Sequence, residues 1–141
     1  MPTKFDTFIR NEDTGKLLLR ISVGMLLLPH GLHKLIHGLD PIKLLLSSSG
    51  LPEFIAYGVP VGEVIAPLLL VLGLWSRIAG VIVIFTMLMT FFLALGLSAF
   101  SFGITGGLKG ELNLLFLLAS AAICFLGSGQ YSVSGGKGRW D

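Results

Sequence analysis

Residues 17–39, LLLRISVGMLLLPHGLHKLIHGL, are the stretch of sequence that decides how this chain folds. A helix that crosses a bilayer needs about 20 mostly apolar residues, and this stretch is long and apolar enough to be one. It also carries polar, ionisable side chains: Arg20, His30, His33, Lys34 and His37. Because such groups are costly in hydrocarbon, they usually face a bundle interior, a cavity or the membrane surface. The stretch therefore predicts a spanning helix whose polar face meets carboxylates from later helices.

The composition of the whole chain is that of a polytopic membrane protein. Of its 141 residues, 53% are hydrophobic and 13% are charged, whereas a soluble domain has about 25% charged residues. The net charge of +2, without a basic run that contains aromatic residues, argues against a nucleic-acid partner. Cys124 is the only cysteine, so the sequence excludes an intramolecular disulfide and a two-thiol redox relay.

Hydropathy divides the chain into four spans, at residues 17–39, 54–75, 77–99 and 111–127. Residues 40–53 are too short and too interrupted to span, and they indicate a short surface or re-entrant helix. The sequence therefore predicts an all-α integral membrane protein. Its expected form is a four-helix bundle in a single domain over residues 1–141, with the short helix between helices 1 and 2.

Basic residues are distributed unequally between the two sides of these spans. Four spans place both termini on one side, which then carries seven basic residues: Lys4, Arg10, Lys16, Arg20, Arg77, Lys137 and Arg139. The other side carries three: Lys34, Lys43 and Lys109. Because Lys and Arg are in excess on the cytoplasmic side of membrane proteins, we expect both termini in the cytoplasm.

The polar residues of different spans can be compared by depth. At 1.5 Å per residue, His30 lies about 20 Å from the inner surface, and Glu63 lies about 14 Å from the outer surface of a core roughly 30 Å thick. The two side chains are therefore expected at a similar level, beside Gly31, where a flat ring could approach the backbone. Two interpretations remain open: a hydrogen bond that joins two helices, or a catalytic, proton-handling or ligand site.

The same depth estimate places a second polar group nearer the outer membrane surface and two arginines at the inner membrane surface. Lys34 and Glu111 are expected to pair there, either as a structural ion pair or as part of a ligand-binding cluster with Gly31. Arg20 and Arg77 are expected to be membrane-surface anchors, whose long side chains carry the charge out of the hydrocarbon.

Several cofactors are not expected. His33 and His37 have the i, i+4 spacing of a metal pair, but the sequence offers no third ligand. All three histidines lie on one helix, which argues against a bis-histidine haem within one protomer. The glycine-rich loop at residues 100–110 lacks the order of a phosphate-binding loop, and no strand precedes it. We therefore expect no metal, haem or nucleotide.

An ordered set of residues resembles the DoxX family of small bacterial and archaeal membrane proteins. The matching pattern is Arg20-x3-Gly24-x5-His30-Gly31-x2-Lys34-Leu35, Gly50-Leu51-Pro52, Glu63, Gly73-Leu74-x2-Arg77-x-Ala79-Gly80, Glu111 and Gly127-x-Gly129-x-Tyr131-Ser132. His33 and His37 lie outside this pattern. The resemblance implies a four-helix bundle in the cytoplasmic membrane of a bacterium or archaeon. It also implies a link to redox chemistry, since relatives are associated with thiosulfate:quinone oxidoreductase, quinol oxidase preparations and an oxidative-stress membrane complex.

Three functions are compatible with these features. The first is a subunit of a quinone-linked oxidoreductase, with quinone as cofactor and His30 and Glu63 as the proton-handling pair. Because the chain supplies no thiol pair or haem ligand pair, electrons would come from a redox partner protein. The second is a non-redox protein that binds a lipid or small metabolite, and the third is a non-catalytic membrane scaffold. Membrane lipids are expected partners in each case, and a homo-oligomer is compatible with all three.

Overall fold

The computed structural model describes residues 10–141, and their regular structure is helical. The α-helices are α1 (Glu12–His37), α2 (Asp40–Ser48), α3 (Ala66–Leu72), α4 (Ser76–Thr90) and α5 (Glu111–Leu126). Residues 10–141 contain no named strand, only an isolated bridge between Phe102 and Leu108. The prediction of an all-α protein is therefore confirmed.

Helical stretches long and apolar enough to cross a membrane occur three times among the described residues. They are Glu12–His37, Glu53–Leu72 and Ser76–Phe100, and α5 is a shorter apolar helix. The second stretch joins a 3-10 turn (Glu53–Gly58) and a π turn (Val61–Ile65) to α3. The third continues α4 through a π turn and a further 3-10 turn. These apolar stretches support the prediction of a membrane protein.

The predicted four-helix membrane bundle is not established, because only three helical stretches of residues 10–141 have the length of a span. The short helix predicted between helices 1 and 2 is present as α2, which brings the number of α-helices in residues 10–141 to five. Pro41 stands in its first turn, where the missing N–H of proline costs no intrahelical hydrogen bond. α1 also begins earlier than predicted, because the Asn11 side chain accepts a hydrogen bond from the Thr14 N–H and caps the helix at Glu12.

The core is formed by apolar side chains from four helices. The buried members are Val23, Leu27, Ala66, Leu70, Ala79, Val83, Met87, Phe116 and Ile123. Small residues allow the helices to approach closely. A Cβ on Gly24 would meet Pro67 and Val71, and one on Gly80 would meet Cys124. The packing therefore depends on backbone-to-backbone contact as much as on large side chains.

Gly31 provides the contact that matters most for the site. A Cβ at this position would overlap the backbone carbonyl of Glu63, and Gly31 is buried. α1 therefore lies directly against the π turn that carries Glu63, and a side chain larger than hydrogen would separate them.

We expect Gly31→Ala to destabilise the protein by roughly 1–3 kcal/mol, the range for an overpacked core position, because backbone rather than a flexible side chain must move. Gly15→Ala is the matched control, since Gly15 also lies in α1 and has no atom within 4 Å of the added Cβ. Alanine is the better helix former by up to about 1 kcal/mol, so this control should be neutral or stabilising. Denaturant unfolding of both variants in detergent measures the difference, and equal stabilities would contradict the close contact.

Candidate functional site

The centre of the site is an ion pair between α1 and the π turn. The Lys34 Nζ donates to the Glu63 Oε1 at 2.5 Å. The Glu63 side chain is only 4% exposed, whereas that of Lys34 is 34% exposed. Because an isolated charge in an apolar interior is costly, each group makes burial of the other acceptable.

Local backbone structure explains how Glu63 reaches this position. Pro60 has no N–H and so cannot continue a regular α-helical hydrogen-bond pattern. The chain instead forms the π turn Val61–Ile65, closed by a hydrogen bond from the Ala66 N–H to the Val61 carbonyl. Such turns are rare and occur frequently at functional sites. Gly62 lies against Thr86 of α4, with no room for a Cβ, so the turn is held from both sides.

The second oxygen of the Glu63 carboxylate is not satisfied. Oε2 is buried and has no hydrogen-bond partner among residues 10–141. A buried polar atom left in this way costs free energy, about 1–3 kcal/mol and more when it is charged. An unpartnered carboxylate oxygen inside an apolar protein is therefore a place to accept a hydrogen bond from a water or a ligand.

Glu63 lines a cavity of about 160 Å³. Its lining residues come from α1, the π turn, α4 and α5: Leu27, His30, Lys34, Glu63, Met87, Thr90, Leu112, Asn113 and Phe116. We call this space the polar cavity. His30 and Leu112 are exposed, so they lie at its edge, whereas Glu63 lies inside. The cavity thus joins a histidine at the surface to a buried carboxylate.

The hydrogen bond predicted between His30 and Glu63 is not formed; the two residues only share a cavity. Both residues line the polar cavity, but the hydrogen-bond partner of the carboxylate is Lys34, one turn further along α1. The physical reason is the direction of helical side chains, which point back towards the N-terminus of their helix. A long lysine therefore reaches the level of Gly31, where the Glu63 backbone lies.

The predicted pairing of Lys34 with Glu111 is wrong. Lys34 pairs with Glu63, and Glu111 is exposed at the start of α5, beside Gly107. α5 contributes Asn113 to the polar cavity instead, and its amide nitrogen lies 3.7 Å from the Met87 sulfur. Sequence reasoning missed Asn113, although it is the one carboxamide in α5. It also missed Thr90, which lies one turn after Thr86 in α4.

Arg20 is not a surface anchor. It is completely buried, and its Nη1 and Nη2 atoms donate to the carbonyls of Leu70 at 2.8 Å and Tyr131 at 2.7 Å. Arg77 is half-buried and donates to the carbonyls of Cys124 and Asp141. The prediction of snorkelling failed because protein oxygens replace water at this end of the helices. Leu70 and Cys124 supply two of them from α3 and α5, and the segment 127–141, which folds back here, supplies the other two.

The remaining histidines do not join the site. The rings of His33 and His37 stack at 4.0 Å, and His37 Nδ1 contacts the His33 carbonyl. Both are exposed, and neither lines the polar cavity. Within residues 10–141, no three His, Cys, Asp or Glu side chains are close enough to hold a metal ion.

We expect Lys34→Met to destabilise the protein more than the double variant Lys34→Met/Glu63→Gln, because the single change leaves a buried carboxylate without a partner. Breaking a fully buried pair costs about 3–5 kcal/mol, and the partial exposure of Lys34 lowers our expectation to roughly 2–3 kcal/mol. Glu111→Gln, on the exposed carboxylate, is the control and should change little. Denaturant unfolding in detergent of the unaltered protein, Lys34→Met, Glu63→Gln and the double variant gives the cycle, and strictly additive effects would argue against the pairing.

Comparisons with known proteins identify the family of the chain. The DoxX family model matches residues 15–96, which include Arg20, His30, Lys34, Glu63 and Arg77. A relative from Bacillus subtilis (strain 168), named "Putative oxidoreductase CatD", is 33% identical over 119 residues, which are 84% of this chain and 84% of the relative. No solved structure matches the chain significantly. The extent of both matches shows that the chain belongs to the DoxX family.

Proposed function

We propose that this DoxX-family protein is a subunit of a quinone-linked oxidoreductase and that the polar cavity holds the quinone ring. The observation that carries the proposal is the buried Glu63 carboxylate, which pairs with Lys34 through one oxygen and leaves the other free in a membrane-length helical stretch. The name of the B. subtilis relative supports redox chemistry in general. The quinone is our own inference from the chemistry of the cavity.

The residues of the polar cavity fit a quinone ring. Its volume of about 160 Å³ is below the range of about 300–1,000 Å³ that suits drug-sized ligands, so it would hold a head group rather than a whole molecule. Lys34 and Asn113 offer hydrogen-bond donors to ring oxygens, and Leu27, Met87 and Phe116 offer apolar contacts to a flat ring.

The proton chemistry follows from these side chains. A bound quinone accepts two electrons and two protons when it is reduced to the quinol. Glu63 would hold one proton at its free oxygen, and His30 would exchange protons between the cavity edge and the interior, as a histidine can near neutral pH. When Glu63 gives up its proton, the positive charge of Lys34 would balance the negative charge of the carboxylate. Electrons would come from a redox partner protein.

The membrane arrangement that we propose is a four-span bundle in the cytoplasmic membrane of a bacterium or archaeon. In this arrangement α5 is the fourth span, α2 lies at the outer surface, and both termini are cytoplasmic. The excess of basic residues near the termini supports this orientation. The polar cavity would then lie in the outer half of the bilayer.

We expect Glu63→Gln, and His30→Ala to a smaller degree, to lower quinone reduction by membranes that contain the protein and its electron-donating partner. Loss of one general acid–base group typically costs about 10²–10⁴-fold in rate. His33→Ala is the matched control, since this histidine is exposed and lies outside the cavity. Turnover that is unchanged in both variants would overturn the redox role and favour a scaffold or lipid-binding protein.

The orientation has its own test. In a Cys124→Ser background, a single cysteine at Ser48 should react with a membrane-impermeant thiol reagent added from the periplasmic side. A single cysteine at Lys137 should react only after the membrane is opened. Both positions are exposed in the structure, so access depends on the side of the membrane. Labelling of position 137 but not 48 in intact cells would reverse the proposed orientation.

A further inference from the structure

A second cavity lies beside the site, between α2, the turns that precede α3, and α4. Its volume is about 300 Å³, and it is lined by apolar side chains that include Ile42, Leu46, Val59, Phe85, Met89 and Leu93. Thr86 is its one hydroxyl-bearing residue, and that hydroxyl donates to the Ile82 carbonyl of its own helix. We call this space the apolar groove. It offers a ligand shape and apolar contact, without hydrogen-bonding groups.

A narrow space of about 110 Å³, which we call the connecting space, lies between the polar cavity and the apolar groove. It shares Lys34, Glu63 and Thr90 with the polar cavity. At its other end it shares lining residues with the apolar groove: Ile42, Val59, Thr86, Met89 and Leu93. The three spaces are therefore successive parts of one path that begins at a charged pair and ends among apolar side chains.

We infer that this path binds one amphiphilic ligand along its length, with a polar ring at Lys34 and Glu63 and an apolar tail in the groove between α2 and α4. The inference rests on the proposed function and specifies its substrate class as a quinone that carries a long hydrocarbon tail. It gives α2 a role, because Ile42 and Leu46 of this helix form the outer wall of the groove.

Another apolar cavity provides an internal comparison. It is larger, about 570 Å³, and lies between the end of α4 and α5, where it is lined by residues that include Leu88, Phe92, Leu97 and Leu114. It shares no lining residue with the polar cavity or with the connecting space. We therefore assign the tail to the apolar groove because it adjoins the space beside the charged pair, although the other cavity is larger.

The contribution of the tail is expected to be steric rather than hydrophobic. A tail that leaves lipid for an apolar groove exchanges one apolar environment for another, so it gains little from burial. The groove instead provides the room that a tail needs when its ring is bound in the polar cavity. Filling the connecting space should consequently impair binding of tailed quinones and leave tail-free quinones unaffected.

The test uses adjacent substitutions on α4 in the full chain, reconstituted in nanodiscs. Met89→Trp fills the connecting space, because Met89 lines both it and the groove. Leu88→Trp is the matched control, since it lines the unconnected cavity. Direct binding of a radiolabelled tail-free benzoquinone gives its affinity. Displacement by a decyl-tailed benzoquinone, with concentrations expressed per lipid, gives the affinity of the tailed form.

We expect Met89→Trp to bind the tailed quinone about tenfold or more weakly, a difference of about 1.4 kcal/mol or more, and the tail-free quinone within about twofold of the unaltered protein. Leu88→Trp should change neither affinity. Equal loss of both quinones in Met89→Trp, or loss of neither, overturns the groove as the tail site. If the unaltered protein binds neither quinone, the proposed function itself fails.

A second measurement needs no variant. A benzoquinone with a photoreactive diazirine at the end of its tail should label residues 42–46 of α2 when the reconstituted protein is illuminated. An excess of the decyl-tailed quinone should suppress this labelling. Labelling confined to residues 97–117 would assign the tail to the other cavity. Head-group binding without any labelling of α2 would mean that lipid acyl chains, rather than a quinone tail, occupy the groove.

Discussion

The ion pair between Lys34 and Glu63 is the constraint on which the rest of the structure depends. The Glu63 side chain is only 4% exposed, and an unpaired charge is costly in an apolar interior, so the pair with Lys34 holds the π turn against α1. Gly31 permits that contact, because the Glu63 backbone occupies the space of its missing side chain. α4 then closes the other side of the turn through Thr86 and Gly62. Charge pairing and close packing thus fix the relative positions of α1, the π turn and α4.

Stability alone does not account for this pair. Replacing a buried ion pair by apolar residues of similar volume is often neutral or stabilising, and a chain so rich in Leu had such residues available. The pair is also incompletely satisfied, since Glu63 Oε2 has no partner within the described part of the chain. A purely structural pair would gain from a donor at that oxygen. A carboxylate oxygen without a protein donor, on a residue that lines a cavity, instead leaves room for a water or a ligand.

Sequence patterns predicted the class of fold better than the individual contacts. Apolar run lengths predicted the helices, and polar groups within those runs identified Lys34 and Glu63. The choice of partner failed for a geometric reason. A depth count at 1.5 Å per residue assumes continuous α-helices and side chains perpendicular to the axis. The second stretch contains 3-10 and π turns, and the lysine side chain extends back along α1.

The arginine assignment failed for a different reason, and this failure bears on access to the site. No local pattern reveals that Arg20 meets the Tyr131 carbonyl, which comes from a residue 111 positions later. That contact brings the segment 127–141 over one end of the helices, where Arg77 also bonds to it.

Arg20 and Lys34 are about 21 Å apart along α1 at 1.5 Å per residue. One end of the bundle is thus closed by carbonyl groups, whereas the polar cavity near the other end has an exposed histidine at its edge. Under the proposed function, protons would reach Glu63 past His30 and Lys34, and not from the end that Arg20 closes.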